Sequence, residues 1–299
     1  MGVNSLVEEY RSVSQWIPEG LTMTAFYANG DKNRYTDVIC QDSTRVILSF
    51  PGISSNYIHA NYIGTPTNPH RFICTQGPLE CTQHAFWATV LQENVESIVM
   101  LCKCIELNRF KCHQYWPEAP NGVVHFGDDP QLQITVSNVG ATNECGDDGV
   151  VMTLLKVDWV NGSRIVKHFQ WKNWPDHGVP SNNETIIDLL ASTRSSQFPI
   201  LVHCSAGIGR TGSIVAIALV LEKIQAEIDC SVMGDILKEI RAQRLGSIQT
   251  EQQYLYVHRV LLYFFLERNR EQYREILDGE YGEKFHKWVE DYNAKIRLN

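Results

Sequence analysis

The fold is decided by the stretch Pro199-Ile-Leu-Val-His-Cys-Ser-Ala-Gly-Ile-Gly-Arg-Thr-Gly212. Its first residues are mostly apolar and are typical of a short buried strand. Three glycines follow within six positions and predict a tight loop, and the apolar residues beyond them predict a helix over Arg210–Ala226. A strand that leads into a helix through a tight loop, within a mixed sheet flanked by helices, indicates an α/β fold.

The loop between this strand and this helix has the composition of an anion-binding site. Its glycines allow successive backbone N–H groups to point inward, and the helix N-terminus adds unpaired N–H donors and the positive end of its dipole. Cys204 begins the loop, where such a field favours a thiolate. Arg210 follows six residues later, and its planar guanidinium matches two phosphate oxygens. We therefore expect Cys204 to be a nucleophile; the alternative is a structural cysteine in an ordinary strand–turn–helix.

The remaining loop residues have supporting roles in this interpretation. Ser205 and Thr211 are expected to form hydrogen bonds within the loop. His203 is expected to hold the loop in shape by bonding backbone groups rather than to act as a general base. The predicted phosphate-binding positions are Ser205, Ala206, Gly207, Ile208 and Gly209.

Hydrophobic periodicity outside the loop indicates a substantial sheet followed by helices. The predicted strands, besides Pro199–His203, are Arg45–Phe50, Tyr57–Ile63, Arg71–Cys74, Ser97–Cys102, Gln131–Val136, Val150–Val157 and Arg164–Trp171. The other predicted helices are Thr82–Asn94, Asn183–Ser195, Met233–Gln243 and Thr250–Arg268. No internal repeat or interior Pro/Gly/Ser-rich linker divides the 299 residues. We expect a single α/β domain: a highly twisted mixed β-sheet flanked by α-helices, with the phosphate-binding loop between a central strand and a helix.

The composition of the chain indicates its cellular compartment and excludes some classes of binding partner. The net charge of −8 disfavours nonspecific binding to nucleic acid or to an anionic membrane. No apolar stretch approaches the roughly 20 residues of a membrane helix, and no signal-peptide pattern opens the sequence. The spacing of the nine cysteines is unlike that of a disulfide framework, which favours free thiols in a reducing compartment. These features predict a cytosolic protein without membrane insertion or a nucleic-acid partner.

The motif His-Cys, five residues, Arg and then Ser or Thr is complete at His203–Thr211. On this motif the chain resembles the catalytic domain of non-receptor protein tyrosine phosphatases, and the resemblance extends from about Asn33 to Tyr254. It implies hydrolysis of phosphotyrosine in proteins through a phosphocysteine, with no metal or cofactor and with tyrosine-phosphorylated proteins as partners. It also implies a catalytic domain over residues 8–268. Two rivals stay open: a phosphotyrosine-binding pseudophosphatase, and a phosphatase of dual or other specificity.

Residues 269–299 carry apolar side chains at helical spacing, interrupted by Gly279 and Gly282. This C-terminal tail is predicted to pack on the domain as helix. The alternative is that it contacts a partner protein.

The segment Trp174-Pro-Asp-His-Gly178 resembles the mobile acid loop of the same family. A phenolate leaving group benefits from a proton, and the resemblance assigns that role to Asp176, with Trp174 in support. Glu106 and Lys111 correspond to a loop beside the active site. There the glutamate is expected to orient Arg210, and the lysine to approach Asp176 or the substrate.

Two further segments complete the resemblance. Asn33-Arg-Tyr-Thr-Asp37 resembles the phosphotyrosine-recognition loop, in which Tyr35 would form an aromatic wall and Asp37 would contact the substrate backbone. Such a wall favours the long phosphotyrosine side chain over phosphoserine and phosphothreonine. Gln249-Thr-Glu-Gln-Gln253 resembles the segment that positions water, with Gln249 as the first candidate and Gln253 as the second.

Three features have competing interpretations. Arg241 and Arg244 fit the family but also suit a solvated helix face. His59 stands where the family usually has asparagine, a residue that supports the loop architecture near the site. The third feature is a set of potential zinc ligands whose spacing is unlike that of structural zinc motifs and whose side chains we expect to diverge: Cys102, Cys104, Cys112 and His113.

Overall fold

The computed structural model describes residues 1–142, 149–175 and 178–297. Its strands are β1 (Arg45–Ile47), β2 (Tyr57–Thr65), β3 (Asn68–Thr75), β4 (Ser97–Met100), β5 (Ile105–Glu106), β6 (Arg109–Phe110), β7 (Val123–Phe126), β8 (Ile134–Thr142), β9 (Val150–Trp159), β10 (Gly162–Trp171) and β11 (Ile200–His203). Its α-helices are α1 (Val3–Val13), α2 (Thr24–Ala28), α3 (Gln83–Gln92), α4 (Glu184–Thr193), α5 (Gly209–Gln225), α6 (Met233–Arg241), α7 (Glu251–Leu262), α8 (Arg274–Leu277) and α9 (Glu280–Arg297).

One mixed sheet of nine strands forms the centre of the protein, in the order β1-β2-β3-β11-β4-β10-β9-β8-β7. The four central strands are parallel to one another, whereas the strands on either side pair antiparallel. Leu201 of β11 lies opposite Ile73 of β3 and Ile98 of β4. The loop after β11 therefore emerges near the middle of the sheet, where ligands of open α/β sheets bind. β5 and β6 form a separate hairpin.

Strand β11 and most of helix α5 lie in the buried interior of the protein. All four residues of β11 are buried, and so is every residue of α5 from Gly209 to Val220. A strand of this kind has apolar neighbours on both faces, as in other parallel sheets. The loop between the two elements is consequently anchored at both ends.

The predicted α/β class and mixed sheet are confirmed, with shifted boundaries. The predicted strand over Arg45–Phe50 ends at Ile47, because the N–H of Ser49 donates to the side chain of Gln92 instead of continuing a strand. The predicted helix Thr250–Arg268 ends in α-form at Leu262 and continues as a π-helix over Tyr263–Arg268. Strands β5, β6 and β7 were not predicted.

Gly282 does not interrupt the C-terminal helix, contrary to the sequence-based expectation. It lies within α9, and a Cβ atom there would lie 1.9 Å from the carbonyl oxygen of Leu277. Glycine at this position thus permits the close approach of α8 to α9. Gly279 does separate the two helices.

The C-terminal tail packs against the rest of the protein. Trp288 and Tyr292 of α9 belong to the main hydrophobic core, together with Val3 and Leu6 of α1. Both ends of the described chain thus share one core, while the limits 8–268 and 269–299 remain predictions. None of the helices in the described ranges has the length and apolar content needed to cross a bilayer.

Candidate active site

A cavity of about 360 Å³ opens beside the loop that follows β11. It brings together most of the residues predicted from sequence, which come from segments far apart in the chain. These lining residues are Tyr35, Asp37, Lys111, Cys204, Ser205, Ala206, Gly209, Arg210, Gln249 and Gln253. Val38, Arg109 and Phe110 also line the cavity. A larger cavity of about 700 Å³ lies elsewhere and contains none of the predicted residues.

Cys204 lies in this cavity with 6% of its surface exposed. Its Sγ atom accepts a hydrogen bond from the backbone N–H of Gly207 at 3.2 Å. The N–H groups of the first turn of α5, which have no partner within the helix, follow directly. This arrangement places hydrogen-bond donors where they can stabilise an oxyanion bound above the sulfur.

Gly207 shows why the loop needs glycine. Its φ of +70° lies in the left-handed region, and a Cβ atom would lie 2.0 Å from the carbonyl oxygen of Thr75. The loop therefore packs directly against the end of β3. Gly207 and Ile208, both predicted to bind phosphate, are not among the residues that line the cavity.

Arg210 is fixed by the β5–β6 hairpin. Its Nη1 and Nη2 atoms donate to Oε1 and Oε2 of Glu106, each at 2.8 Å, and Nη1 also donates to the carbonyl oxygen of Leu101 at 2.7 Å. Burial opposes the charged guanidinium, but the bonds to Glu106 and the nearby Cys204 outweigh it and raise the pKa of Arg210. The expected pairing of Glu106 with Arg210 is thus present in the structure.

Ser205 connects the loop to two other parts of the cavity wall. Its hydroxyl donates to the carbonyl oxygen of Lys111 at 3.0 Å, so the hydroxyl of Tyr35 donates in turn to Ser205 Oγ at 2.8 Å. These partners lie outside the loop, contrary to the expectation of bonds within it. The expected bond of Thr211 is also missing: its hydroxyl is buried without a hydrogen-bond partner in the described part of the chain.

His203 belongs to a buried chain of hydrogen bonds beneath the loop. Its Nδ1 atom lies 3.0 Å from the carbonyl oxygen of Cys204, and the hydroxyl of Tyr115 lies 2.7 Å from Nε2 of both His203 and His168. Burial lowers the pKa of His203 to about 4 and that of His168 to about 3, so both rings are neutral. The Nδ1–H of His203 then donates to the carbonyl oxygen of Cys204. The hydroxyl of Tyr115 donates to Nε2 of His203 and accepts from the Nε2–H of His168.

Arg244 supports the loop from the opposite side and is completely buried. It donates to the carbonyl oxygens of Gly207 and Ala206 at 2.5 and 3.1 Å, and to Oδ1 of Asn61 at 2.8 Å. The interpretation of Arg241 and Arg244 as a solvated helix face is therefore wrong. Sequence could not reveal the partners of Arg244, because they lie on β2 and in the loop.

His59 provides a specific contact where the family usually has asparagine. Its Nδ1 atom lies 3.4 Å from Nη2 of Arg244, and its Nε2 atom lies 2.8 Å from the carbonyl oxygen of Val38. Burial and the charge of Arg244 lower the pKa of His59 to about 3. The neutral ring therefore accepts from Arg244 and donates to Val38, which joins the recognition loop to the phosphate-binding loop.

The predicted water-positioning segment lies at the start of α7. Thr250 caps this helix by accepting from the N–H of Gln253 at 3.2 Å. The backbone N–H of Gln249 donates to Oε1 of Gln253 at 2.9 Å. Gln249 is exposed and Gln253 is buried, and both line the cavity.

The predicted acid, Asp176, lies outside the described residues. Trp174 is buried, packs at 5.0 Å from Trp171 and 5.5 Å from Tyr256 between ring centroids, and donates through Nε1 to the carbonyl oxygen of Gly178 at 3.1 Å. The two flanks of Asp176 are therefore joined to each other and to the core.

The cysteines weighed as zinc ligands do not all diverge, contrary to the argument from strand geometry. The thiols of Cys104 and Cys112 are close enough for each to shift the pKa of the other. Within the described ranges, however, no three His, Cys, Asp or Glu side chains are grouped to hold a metal ion.

Comparison with known proteins agrees with this arrangement. Residues 29–263 match the family model described as protein-tyrosine phosphatase. The chain therefore belongs to the protein-tyrosine phosphatase family. Human tyrosine-protein phosphatase non-receptor type 12 is 36% identical to it over 248 residues, which cover 79% of this chain and 30% of that protein.

Solved structures agree with the fold. The catalytic domain of human protein tyrosine phosphatase non-receptor type 18 superposes with a TM-score of 0.80 at 30% identity, covering 88% of this chain and 96% of that one. PTPN18 in complex with HER2 phosphopeptides superposes with a TM-score of 0.78 at 30% identity, covering 88% and 93%.

Proposed function

We propose that this chain hydrolyses phosphotyrosine in proteins through a phosphocysteine intermediate at Cys204. The observation that carries the proposal is the position of Cys204, which accepts from a loop amide and lines the same cavity as Arg210. The family membership and the phosphopeptide complexes of PTPN18 support tyrosine-phosphorylated proteins as the partners.

In the first step, Cys204 attacks phosphorus. Arg210, already oriented by Glu106, and the amides of residues 205–209 stabilise the three equatorial oxygens as negative charge develops. Asp176 gives a proton to the departing phenolate oxygen, which makes tyrosine a better leaving group. Tyr35 would lie along the phenyl ring and Asp37 would hold the substrate backbone.

In the second step, water attacks the phosphocysteine and inorganic phosphate leaves. Asp176 now removes a proton from the water, and Gln249 orients it, with Gln253 as a second amide. Lys111 lies in the cavity wall, where its charge can stabilise the phosphoryl group or Asp176. The scheme needs no metal or cofactor.

The direct test is an assay of purified protein on phosphotyrosyl peptide, phosphothreonyl peptide and phosphoinositide. We expect turnover of the first alone, its loss in Cys204→Ser, and a fall of about 10²–10⁴-fold in Asp176→Ala. Binding of phosphotyrosyl peptide without turnover would instead indicate a pseudophosphatase. Comparable turnover of all three substrates would indicate broader specificity.

A further inference from the structure

Cys104 and Cys112 bring two thiols together at the base of the β5–β6 hairpin, where the proposed chemistry does not use either of them. The backbone N–H groups of Lys111 and Cys112 both donate to the carbonyl oxygen of Cys104, at 2.8 and 3.3 Å. These contacts close the hairpin just outside its two strands. The two side chains are also close enough for each thiol to shift the pKa of the other.

The two thiols differ in exposure and in acidity. Cys104 is partly exposed, whereas Cys112 is only 1% exposed. The interaction with Cys112 lowers the pKa of Cys104, while burial and the same interaction raise the pKa of Cys112. Because the thiolate is the reactive form, Cys104 is the member of the pair that meets and attacks a soluble oxidant.

We propose that Cys104 and Cys112 form a peroxide-oxidised disulfide site, in which Cys104 reacts first and Cys112 resolves it. The Cys104 thiolate attacks one oxygen of hydrogen peroxide; the O–O bond breaks, and the hydroxide that leaves takes up a proton to become water. The Cys112 thiol then loses its proton and attacks the sulfur of the Cys104 sulfenic acid. The S–O bond breaks and a second water leaves, so two electrons have passed from the thiols to peroxide.

In the reduced protein, Cys104 and Cys112 need to move little to form a disulfide. A disulfide needs Cα atoms within about 7 Å, and the direct backbone contact keeps the two residues within reach. Cys112 would give up its bond to the carbonyl oxygen of His113, and Cys104 its bond to the side chain of Gln114, each 3.2 Å long. The disulfide would close a ring that contains Glu106 and Lys111, and thus would restrain the hairpin that orients Arg210.

Cys81 is the internal control for this proposal. It is exposed, yet its only hydrogen bond in the described part of the chain is a 3.9 Å contact with the carbonyl oxygen of Asp31. It therefore resembles Cys104 in access to peroxide, but none of the thiols in the described ranges hydrogen-bonds it. Exposure without a paired thiol is not expected to give an intramolecular disulfide.

The experiment uses the full chain carrying Cys204→Ser, which removes the proposed nucleophile as a competing thiol and makes the result independent of phosphatase activity. The protein is treated with limiting hydrogen peroxide, alkylated, digested with trypsin without reductant, and examined by mass spectrometry. Trypsin cleaves after Lys103, Arg109 and Lys111, so the two cysteines fall on separate peptides that only a disulfide can join.

We expect the Cys104–Cys112 pair to be the main disulfide and to disappear on reduction. Adding Cys112→Ser should leave Cys104 as a sulfenic acid that dimedone labels, and adding Cys104→Ser should leave Cys112 reduced. Thermal unfolding of each variant checks that the fold is intact. Disulfides from Cys104 to other cysteines such as Cys102, or an unmodified Cys104 at peroxide levels that oxidise Cys81, would overturn the proposal.

Discussion

The carboxylate of Glu106 and the guanidinium of Arg210 form a two-bond ion pair, with both N–O distances at 2.8 Å. Their side chains are 9% and 5% exposed, so solvent screens the pair only weakly. The two bonds fix the plane and the direction of the Arg210 guanidinium. The hairpin thus determines where Arg210 can meet an oxyanion.

Replacing Glu106 by alanine is expected to lower kcat/KM on p-nitrophenyl phosphate by about 100-fold, because a misplacement of about 1 Å costs that much. It should also lower the free energy of unfolding by about 3 kcal/mol, since it removes the carboxylate partner of a buried guanidinium. Steady-state kinetics and denaturant titration measure the two effects. The control is Glu118→Ala, which removes an exposed glutamate; equal effects of the two variants would contradict the account.

Replacing Arg244 by methionine is expected to distort the phosphate-binding loop. The carbonyl oxygens of Ala206 and Gly207 would lose a buried donor, at about 1–3 kcal/mol for each group left unpaired. We expect a lower melting temperature and a fall in kcat of at least about tenfold, measured where the variant is still folded.

Arg259→Met is the matched control for Arg244→Met, because Arg259 is also a buried arginine but pairs with Glu267 on the helical C-terminal side. It should lower stability with little change in kcat. If both variants reduced kcat equally, the loss could not be assigned to the loop contacts of Arg244.

Replacing Gly207 by alanine should cost stability in two ways, through an unfavourable backbone conformation and through a steric clash. Gly20→Ala is the control that has the first cost without the second. Both glycines have a φ of +70°, but only at Gly207 would a Cβ atom meet backbone, at 2.0 Å from the carbonyl oxygen of Thr75. Gly20→Ala should cost about 1 kcal/mol of stability, from backbone conformation alone. Gly207→Ala should cost about 1–3 kcal/mol more, because the added carbon overpacks the loop, and it should abolish turnover. Equal melting temperatures for the two variants would rule out the clash.

The buried, neutral histidines should make the stability of the protein depend on pH. Burial and Arg244 lower the pKa of His59 to about 3, below the value near 6.5 of an unfolded chain. Below pH 6.5 the unfolded state therefore binds a proton that the folded state does not, and stability falls as pH decreases. His59→Asn should reduce this slope by up to about 1.4 kcal/mol per pH unit between pH 6 and 4. Urea titrations across this range measure the slope, and an unchanged slope would contradict the assignment.

The sequence allowed the strand–loop–helix around Cys204 to be predicted because its signals are local. A buried strand, three glycines and an amphipathic or fully apolar helix each depend on neighbouring residues. The boundaries of β11 and α5 accordingly agree with the prediction within a residue. The separate hairpin β5–β6 could not be predicted in this way, since strands of two residues carry no periodicity.

The partners that hold the site could not be predicted, because they depend on long-range packing. Tyr115 and His168 are 53 residues apart in sequence, and the apolar pattern of β10 gives no sign that His168 is bonded. Arg244 likewise has the local context of an exposed helix end. Only the arrangement of β2 beside the phosphate-binding loop shows that its charge is buried against carbonyl oxygens.

The central claim is that Cys204 carries the phosphoryl group between the two steps. The most direct measurement is rapid acid quenching of the enzyme with excess phosphotyrosyl peptide, followed by mass spectrometry of the peptide that contains residue 204. We predict a phosphoryl group on Cys204 that accumulates when Gln249→Ala slows the second step and that is absent in Cys204→Ser. Turnover with no phosphorylated Cys204 at any quench time, or turnover that survives Cys204→Ser, would contradict the account.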